Sequence, residues 1–346
     1  MRPSSEAVYS ALTRFKELGP DEIDWLIATG KTIELADGQV LVTAGERIDR
    51  LYIALSGTTR ITVASTAGEQ EIAQGKPGDI TGIVSFLTAQ PANTTITSLS
   101  PSQVLSISHH QLQTQLKQNQ KFAAHFYQAI AIVLSEQIRQ ISALLVRSQA
   151  TVPQPLRKVL LVFAELWDKD IDWLVASSIP KTAVPQIPLI QAGEPTDALY
   201  ILLEGSLSVS ISLTIDGQVL QKEVAKLAAG EIVGEMSFVD ALPPSATVTA
   251  AETSLVLAIP RTTLFAQLQQ DLGFAARFYR AIAVILADRL QDRLAQHGYS
   301  KLTYLQDQPL SEEEEYEDEL DVDLLDHVAL AGARFDWMVR QVRAKR

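Results

Sequence analysis

The chain contains two copies of one unit, and this duplication constrains its fold more than any other feature. The segment FKELGPDEIDWL, which begins at Phe15, returns as FAELWDKDIDWL from Phe163, with seven of twelve positions identical. LYIALSG at Leu51 returns as LYILLEG at Leu199, again 148 residues later. The offset of 148 residues is the approximate length of one unit. A repeat solenoid has more units than two, and each of its units is much shorter. The sequence therefore predicts two duplicated domains.

A third pair of segments shows that the copies differ in length. FAAHFYQAIAIVL at Phe122 matches FAARFYRAIAVIL at Phe274 at nine of thirteen positions, but 152 residues later. The second copy has thus gained four residues between Leu199 and Phe274. A lengthened β-hairpin explains this gain, because Asp216-Gly217 is a favoured turn dipeptide.

Composition and charge are typical of a packed protein with one acidic segment. Of 346 residues, 47% are hydrophobic and 20% charged, and there is no cysteine for a disulfide, a thiolate metal site or a nucleophile. The net charge is -12, but ten acidic residues lie between Glu312 and Asp326, which leaves -2 for the rest. A nearly neutral remainder lacks the basic face of a nucleic-acid binder, so we expect no DNA partner.

Apolar runs are too short for a membrane protein. The N-terminus has no uninterrupted apolar region of a signal peptide, and no window reaches the roughly 18 apolar residues that span a bilayer. We therefore expect a cytoplasmic chain with no integral membrane segment.

Each copy has the same internal order. Gly19-Pro20 and Asp168 are favoured helix starts, short strands follow, and we expect long closing helices over about Gln111 to Val146 and Thr262 to Gln296. GSLSVSISL, at Gly205, alternates apolar residues with serines like a half-buried strand. The predicted fold class is α+β: two tandem antiparallel β-rolls, or jelly-rolls, with flanking helices and a C-terminal helical tail. The predicted domains are 1–150, 151–300 and a tail at 301–346.

Each copy resembles the cyclic nucleotide-binding domain family. The order of a helix, an eight-stranded roll and a long helix carries this resemblance, together with LYILLEG and GEIVGEMSF between the helices. The resemblance covers both copies. The tandem arrangement is similar to that of the regulatory subunits of cyclic-AMP-dependent kinases. It implies a site for cAMP or cGMP in each roll, built on a phosphate cassette of Gly-Glu-apolar-Ser/Ala followed by Arg-Ser/Ala-Ala.

The second copy retains part of this cassette. Its two segments are Gly234-Glu235-Met236-Ser237 and Pro244-Ser245-Ala246-Thr247. The resemblance places Glu235 at the ribose contact and Pro244 where the phosphate-binding arginine belongs. Proline removes the charge and has no N–H to donate. Losing a charge-assisted hydrogen bond weakens binding by about 1.5 to 3 kcal/mol, roughly 10- to 150-fold. We therefore expect a vestigial or weak nucleotide pocket.

The first copy departs further from the pattern. Gly82-Ile83 stands where Gly-Glu belongs, and Ala92-Asn93 where Arg-Ser belongs. An apolar Ile83 leaves a ribose hydroxyl without its acceptor. We expect this roll to fold without nucleotide.

Two other functions fit the sequence poorly. A cupin-type metal enzyme needs several histidines on facing strands, but the five histidines do not recur between the copies, so no metal site and no catalytic residue are predicted. A transcription activator needs a helix-turn-helix after the closing helix, where this chain instead has its acidic run.

The tail after the acidic run has the pattern of an amphipathic helix. Acidic residues precede it and basic ones end it, which suits the helix dipole. The helix either folds back on its own domains or docks in a partner's groove, and we favour the partner. The predicted partner contacts are Leu324, Leu325, Val328, Phe335, Trp337 and Met338.

The expected function is that of a non-catalytic regulatory, adaptor or scaffold protein that acts through protein contacts, without a cofactor. The alternative is a cyclic-nucleotide sensor, in which the second roll controls the tail or a partner. A homodimer through the apolar closing helices is compatible with either function.

Overall fold

The computed structural model describes residues 5–12, 15–65, 68–145, 161–215, 218–296 and 322–345. Contacts divide the chain into two compact units, Met1–Val152 with Leu286–Glu314, and Pro153–Ile285 with Glu315–Arg346. We call these the first and the second unit. The predicted domain boundaries at residues 150 and 300 lie outside the described residues and stay predictions.

The first unit begins and ends with helices. Its elements are α1 (Ser5–Leu12), α2 (Pro20–Thr29), β1 (Lys31–Leu35), β2 (Val40–Val42), β3 (Arg50–Ser56), β4 (Thr59–Ser65), β5 (Gly68–Gly75), β6 (Ile80–Thr81), α3 (Ile83–Thr88), β7 (Thr95–Ser98), β8 (Ser102–Ser108), α4 (His109–Gln118) and α5 (Gln120–Leu145).

The second unit repeats this order and adds one helix. Its elements are α6 (Leu161–Glu165), α7 (Asp168–Ala176), β9 (Ile179–Ala183), β10 (Pro188–Ile190), β11 (Ala198–Glu204), β12 (Leu207–Ile215), β13 (Gln218–Leu227), β14 (Ile232–Val233), α8 (Glu235–Asp240), β15 (Thr247–Ala250), β16 (Ser254–Pro260), α9 (Arg261–Gln270), the start of α10 (Leu272–Gln296) and α11 (Val322–Ala344).

The strands of each unit form two antiparallel sheets. Among the described residues, the strand orders are β1-β8-β3-β6 and β2-β7-β4-β5 in the first unit, and β14-β11-β16-β9 and β10-β15-β12-β13 in the second. Neighbouring strands in these sheets are mostly distant in sequence, as in a jelly-roll. Both copies therefore have the predicted α+β architecture of a β-roll with flanking helices.

The four extra residues of the second copy lie in one hairpin. Strands β12 and β13 have 9 and 10 residues, whereas β4 and β5 have 7 and 8. Ile215 pairs with Gln218 at the end of the ladder. The expected turn residues, Asp216 and Gly217, lie outside the described residues.

The prediction of one long closing helix per copy is wrong. Helix α4 ends before Asn119, and α9 ends before Asp271, where φ and ψ are extended. The side chains of both residues then cap the next helix. Asn119 Oδ1 accepts from the N–H of Phe122 at 3.0 Å, and Asp271 Oδ1 accepts from that of Phe274 at 2.8 Å. Apolar periodicity continues across both breaks, so it does not reveal them.

One carboxylate in each unit joins an opening helix to a closing helix. In the first unit, Glu22 accepts from the Gly19 N–H at 2.6 Å and lies 2.9 Å from His125 Nδ1. In the second, Asp170 accepts from the Trp167 N–H at 2.8 Å and from Arg277 Nε at 2.6 Å. Each carboxylate therefore caps its own helix and also bonds α5 or α10.

The repeated sequence segments supply the same aromatic contact in both cores. Trp25 and Phe122 have ring centroids 5.3 Å apart, and Trp173 and Phe274 have theirs 5.4 Å apart. Phe122 and Phe274 are almost fully buried. The strong sequence match of these segments thus follows from packing.

Candidate functional site

The cassette of the second roll is a short helix held between two residues in the left-handed backbone conformation. Gly234 has φ 87° and precedes α8, and Ala241 has φ 56° and follows it. A Cβ on Gly234 would lie 3.3 Å from the carbonyl oxygen of Ala198. Glycine is therefore required at this turn both by its φ angle and by its close approach to β11.

The predicted cassette residues lie around α8 but differ in accessibility. Glu235, the first residue of α8, is 2% exposed. Ser237 is buried and Met236 half-buried, whereas Ser245 is exposed and Ala246 half-buried. Of these residues, the buried ones therefore lie on α8, and the exposed one follows it.

Thr247 is buried at the start of β15, and its hydroxyl oxygen accepts a hydrogen bond within the chain. Thr247 Oγ1 accepts a hydrogen bond from the N–H of Ala192 at 3.1 Å. This bond fastens β15 to the chain that follows β10. Thr247 therefore has a structural role in addition to its place in the predicted pocket.

Pro244 stands where the family resemblance predicts an arginine, and its carbonyl oxygen is already hydrogen-bonded. Its carbonyl oxygen accepts from the N–H of Gly193 at 2.9 Å. Proline offers neither an N–H nor a cationic group. The strongest anion contact that the family resemblance implies is thus missing from this position.

Arg261 contacts the cassette and was not predicted from the sequence. Its Nη1 donates to the carbonyl oxygen of Ser237 at 2.7 Å and its Nη2 to that of Phe238 at 3.3 Å. The guanidinium also lies 5.5 Å from the ring centroid of Phe238 and 5.2 Å from that of Phe265. Arg261 therefore binds carbonyls near the end of α8 and ties this helix to α9.

The first roll has the same backbone but different side chains. Gly82 has φ 91° and Ala89 φ 56° on either side of α3. Ile83 is 3% exposed and Ala92 6%. The Ala92 N–H donates to the carbonyl of Glu46 at 2.9 Å, so this amide already has an acceptor within the chain.

His109 stands where the second roll has Arg261. Its ring packs edge-on against Phe86 at 5.1 Å, as Arg261 packs against Phe238. The Nε2 atom is buried without a hydrogen-bond partner. Burial lowers the pKa of His109, and a hydrogen bond with the backbone of Arg50 opposes this shift only in part. The cassette helix is therefore hydrogen-bonded by an arginine in the second roll, whereas in the first roll a histidine packs against it.

The C-terminal helix α11 packs against α6 and α7 of the second unit. Phe335 and Met338 are buried there, and Trp337 is half-buried. The side chains of Leu324, Leu325 and Val328 lie outside the described residues. Of the predicted partner contacts, Phe335 and Met338 are therefore covered by the same chain, which is the other arrangement considered for the tail.

Features of two other kinds of site are absent from the described ranges. No helix there combines the length and apolar character needed to cross a bilayer. In that part of the chain, no three histidine, aspartate or glutamate side chains group together as metal ligands would.

The model of the family described as "Cyclic nucleotide-binding domain" matches residues 32–119 and 181–271. These segments, of 88 and 91 residues, make up 179 of the 346 residues. No curated protein matches the chain.

Solved structures with similar folds give low scores. The regulatory domain of Toxoplasma gondii PKA with cAMP is 18% identical, with a TM-score of 0.33, over 79% of this chain and 95% of that one. The regulatory subunit of a cAMP-independent protein kinase A from Trypanosoma brucei is also 18% identical, with a TM-score of 0.31, over 88% and 96%. A cyclic nucleotide-binding domain from Methylobacillus flagellatus KT is 18% identical, with a TM-score of 0.41, over 43% and 86%. Because these TM-scores are below 0.5, the family assignment of the chain rests only on the match to the family model.

Proposed function

This chain belongs to the cyclic nucleotide-binding domain family, in two tandem copies, and we propose that it is a non-catalytic regulatory protein whose pockets are degenerate and bind cyclic nucleotide weakly or not at all. It acts through contacts with other proteins, with the C-terminal helix as the proposed contact element. Neither a cofactor nor a metal takes part. The cysteine-free composition suits the cytoplasm, which is the proposed compartment.

The replacement of the cassette arginine by Pro244 carries this proposal. A cyclic phosphate bears a negative charge and needs a cation or several N–H donors in its place. Pro244 supplies neither, and its carbonyl, which would repel an anion, is turned to Gly193. The loss amounts to about 1.5 to 3 kcal/mol, or roughly 10- to 150-fold in affinity.

The state of Glu235 gives further support. Glu235 is 2% exposed, so a ribose hydroxyl could reach its carboxylate only after the surrounding chain moved, and that movement opposes binding. Glu235 alone therefore does not make up for the missing cation.

The first roll is the more strongly altered of the two. Its Ile83 is buried and apolar at the ribose position, and the Ala92 amide is bonded to Glu46 at the phosphate position. A sugar hydroxyl placed against Ile83 would lose its hydrogen bonds to water without replacement. We propose that this roll is a folded module without nucleotide.

Calorimetric titration of the full chain with cAMP and with cGMP tests the proposal. We expect no binding heat from the wild-type protein at micromolar ligand. The variant Pro244→Arg should gain measurable binding, because it restores the cation, and Pro243→Arg is the matched control with the same charge one residue away. Micromolar binding to the wild-type protein that Glu235→Ala abolishes would refute the proposal.

The second candidate function is a cyclic-nucleotide sensor, and one contact favours it. Arg261 bonds α8 to α9, so a ligand that displaced α8 would also disturb the closing helices. A sensor requires that the ligand bind the two states with different affinity. The same titration decides between the two functions.

A further inference from the structure

Helix α11 packs on the second unit through one apolar stripe. The stripe consists of Ala331, Phe335, Met338 and Val342, which are at most 9% exposed and follow one another at intervals of four, three and four residues. Residues at this spacing lie on one face of a helix. The Phe335 ring lies 5.4 Å from that of Phe163 on α6. We call the surface of α6 and α7 beneath this stripe the α6–α7 face.

Arg334 of α11 makes three of the hydrogen bonds to this face, and Lys345 Nζ lies 3.5 Å from the carbonyl oxygen of Val175 on α7. Arg334 Nη1 donates to the carbonyl oxygens of Phe163 at 3.0 Å and Ala164 at 3.2 Å, and its Nε donates to Asp168 Oδ1 at 2.7 Å. The last carbonyls of a helix have no partner within that helix, and they form the negative end of its dipole. The corner between α6 and α7 therefore provides three acceptors that match the planar fork of a guanidinium.

We propose that the α6–α7 face is a receptor for an amphipathic helix and that α11 occupies it as an internal inhibitor. This inference rests on the proposed action through protein contacts. The partner that fits is a helix with an arginine next to an aromatic residue, and with further apolar residues three and seven positions beyond the aromatic one. It binds only when α11 leaves, and release also exposes the stripe of α11.

The polar contacts of α11 are of a kind that a competitor can replace. In the Arg334–Asp168 pair the aspartate side chain is 83% exposed and the arginine 14%, and Arg343 and Glu204 form an ion pair with side chains 62% and 39% exposed. Water and salt screen the Arg343–Glu204 pair, so it contributes little, and a competing helix with an arginine at the same place can supply the bonds of Arg334. The advantage of α11 over a free helix is then its covalent attachment, which raises its effective concentration at the face.

A labelled synthetic peptide of residues 322–345 tests this inference on the full chain. We expect the peptide to bind the variant Arg334→Glu/Phe335→Ala at least tenfold more tightly than the wild-type chain, because the variant's own α11 no longer holds the face. The matched control is Arg340→Glu, since Arg340 is exposed and donates only to Asp336 within α11 among its described bonds. It should bind the peptide as weakly as the wild type.

Two results would overturn the inference. Equal binding to the wild type and to the double variant shows that α11 does not mask the face, and no binding to a double variant with an unchanged melting curve shows that the face is not a receptor. If the double variant unfolds, hydrogen exchange on the wild-type chain decides instead: excess peptide must speed exchange in α11, and unchanged exchange refutes displacement. Nucleotide calorimetry is independent of these outcomes, so the two proposals can fail separately.

Discussion

The guanidinium of Arg277 binds both carboxylate oxygens of Asp170, with Nε 2.6 Å from Oδ2 and Nη2 2.9 Å from Oδ1. The two side chains are 13% and 2% exposed. The indole ring of Trp167 covers the guanidinium, with its centroid 3.8 Å from Cζ. This pair connects α7 to α10, and the indole shields the contact from water.

Removing one partner of this pair should destabilise the second unit strongly. Arg277→Gln leaves the Asp170 carboxylate buried without its cation, and such a change costs about 3 to 5 kcal/mol. Urea denaturation followed by tryptophan fluorescence measures the change in the free energy of unfolding. Arg340→Gln, an exposed arginine on α11, is the control and should change it by less than about 0.5 kcal/mol. A comparable effect of the two substitutions would contradict the prediction.

Arg261 should hold the cassette helix in place. Arg261→Ala removes two hydrogen bonds to the carbonyls of α8, and a charged hydrogen bond contributes about 1.5 to 3 kcal/mol. We expect faster hydrogen exchange at residues 235–240, measured by mass spectrometry. Arg261→Lys keeps the positive charge but loses the planar, forked guanidinium. It should therefore speed hydrogen exchange less than Arg261→Ala does. Unchanged exchange in the alanine variant would show that α8 does not depend on Arg261.

The stability of the first unit should fall on acidification because of His109. Burial lowers the pKa of His109 in the folded chain. Below the ordinary pKa of about 6.5, the imidazole is therefore protonated in the unfolded chain but still neutral in the folded chain. The free energy of unfolding therefore decreases as the pH falls from about 6.5 towards the lowered pKa, and it is unaffected above this window. Asp49 favours the charged imidazole and Arg50 opposes it.

Urea midpoints of the wild type and His109→Gln between pH 5 and pH 8 measure this effect. The difference between the two proteins should be constant above about pH 7 and should change below it, because only the wild type carries the titrating ring. Parallel curves over the whole range would exclude His109 as the source.

Gly205 should tolerate no side chain. It has φ 89°, and a Cβ would lie 2.3 Å from Ser254 Oγ and 2.8 Å from Ser254 Cβ. Gly193 has φ 80°, and a Cβ there would meet no atom within 4 Å, so Gly193→Ala isolates the cost of the backbone conformation. That cost is about 1 to 2 kcal/mol. Gly205→Ala should exceed it in thermal denaturation, and equal losses would mean that Ser254 moves aside at no cost.

Much of the fold could be predicted because each copy can be compared with the other. The offsets of 148 and 152 residues located the extra length, and the structure places it in β12 and β13. The assignment of Glu235 and Pro244 to cassette positions comes from the family resemblance of the segments beside them, and it stays a prediction. Whether they bind anything depends on burial and on bonding partners, which spacing does not report.

Other features could not be predicted, for physical reasons. Arg261 aligns with a histidine, so comparing the copies gave no signal for its contacts with carbonyl groups. The breaks at Asn119 and Asp271 interrupt backbone bonding but not apolar periodicity. The amphipathic pattern of α11 shows that one face must be covered, yet it does not say by which surface. These features depend on tertiary neighbours.

The capped break at Asn119 gives the first unit two separate helices after its last strand. Helices of 10 and 26 residues meet here at a single non-helical residue. Because the Asn119 side chain satisfies an N–H in the first turn of α5, this helix begins with its own cap and not as a continuation of α4, so its direction is set independently of α4.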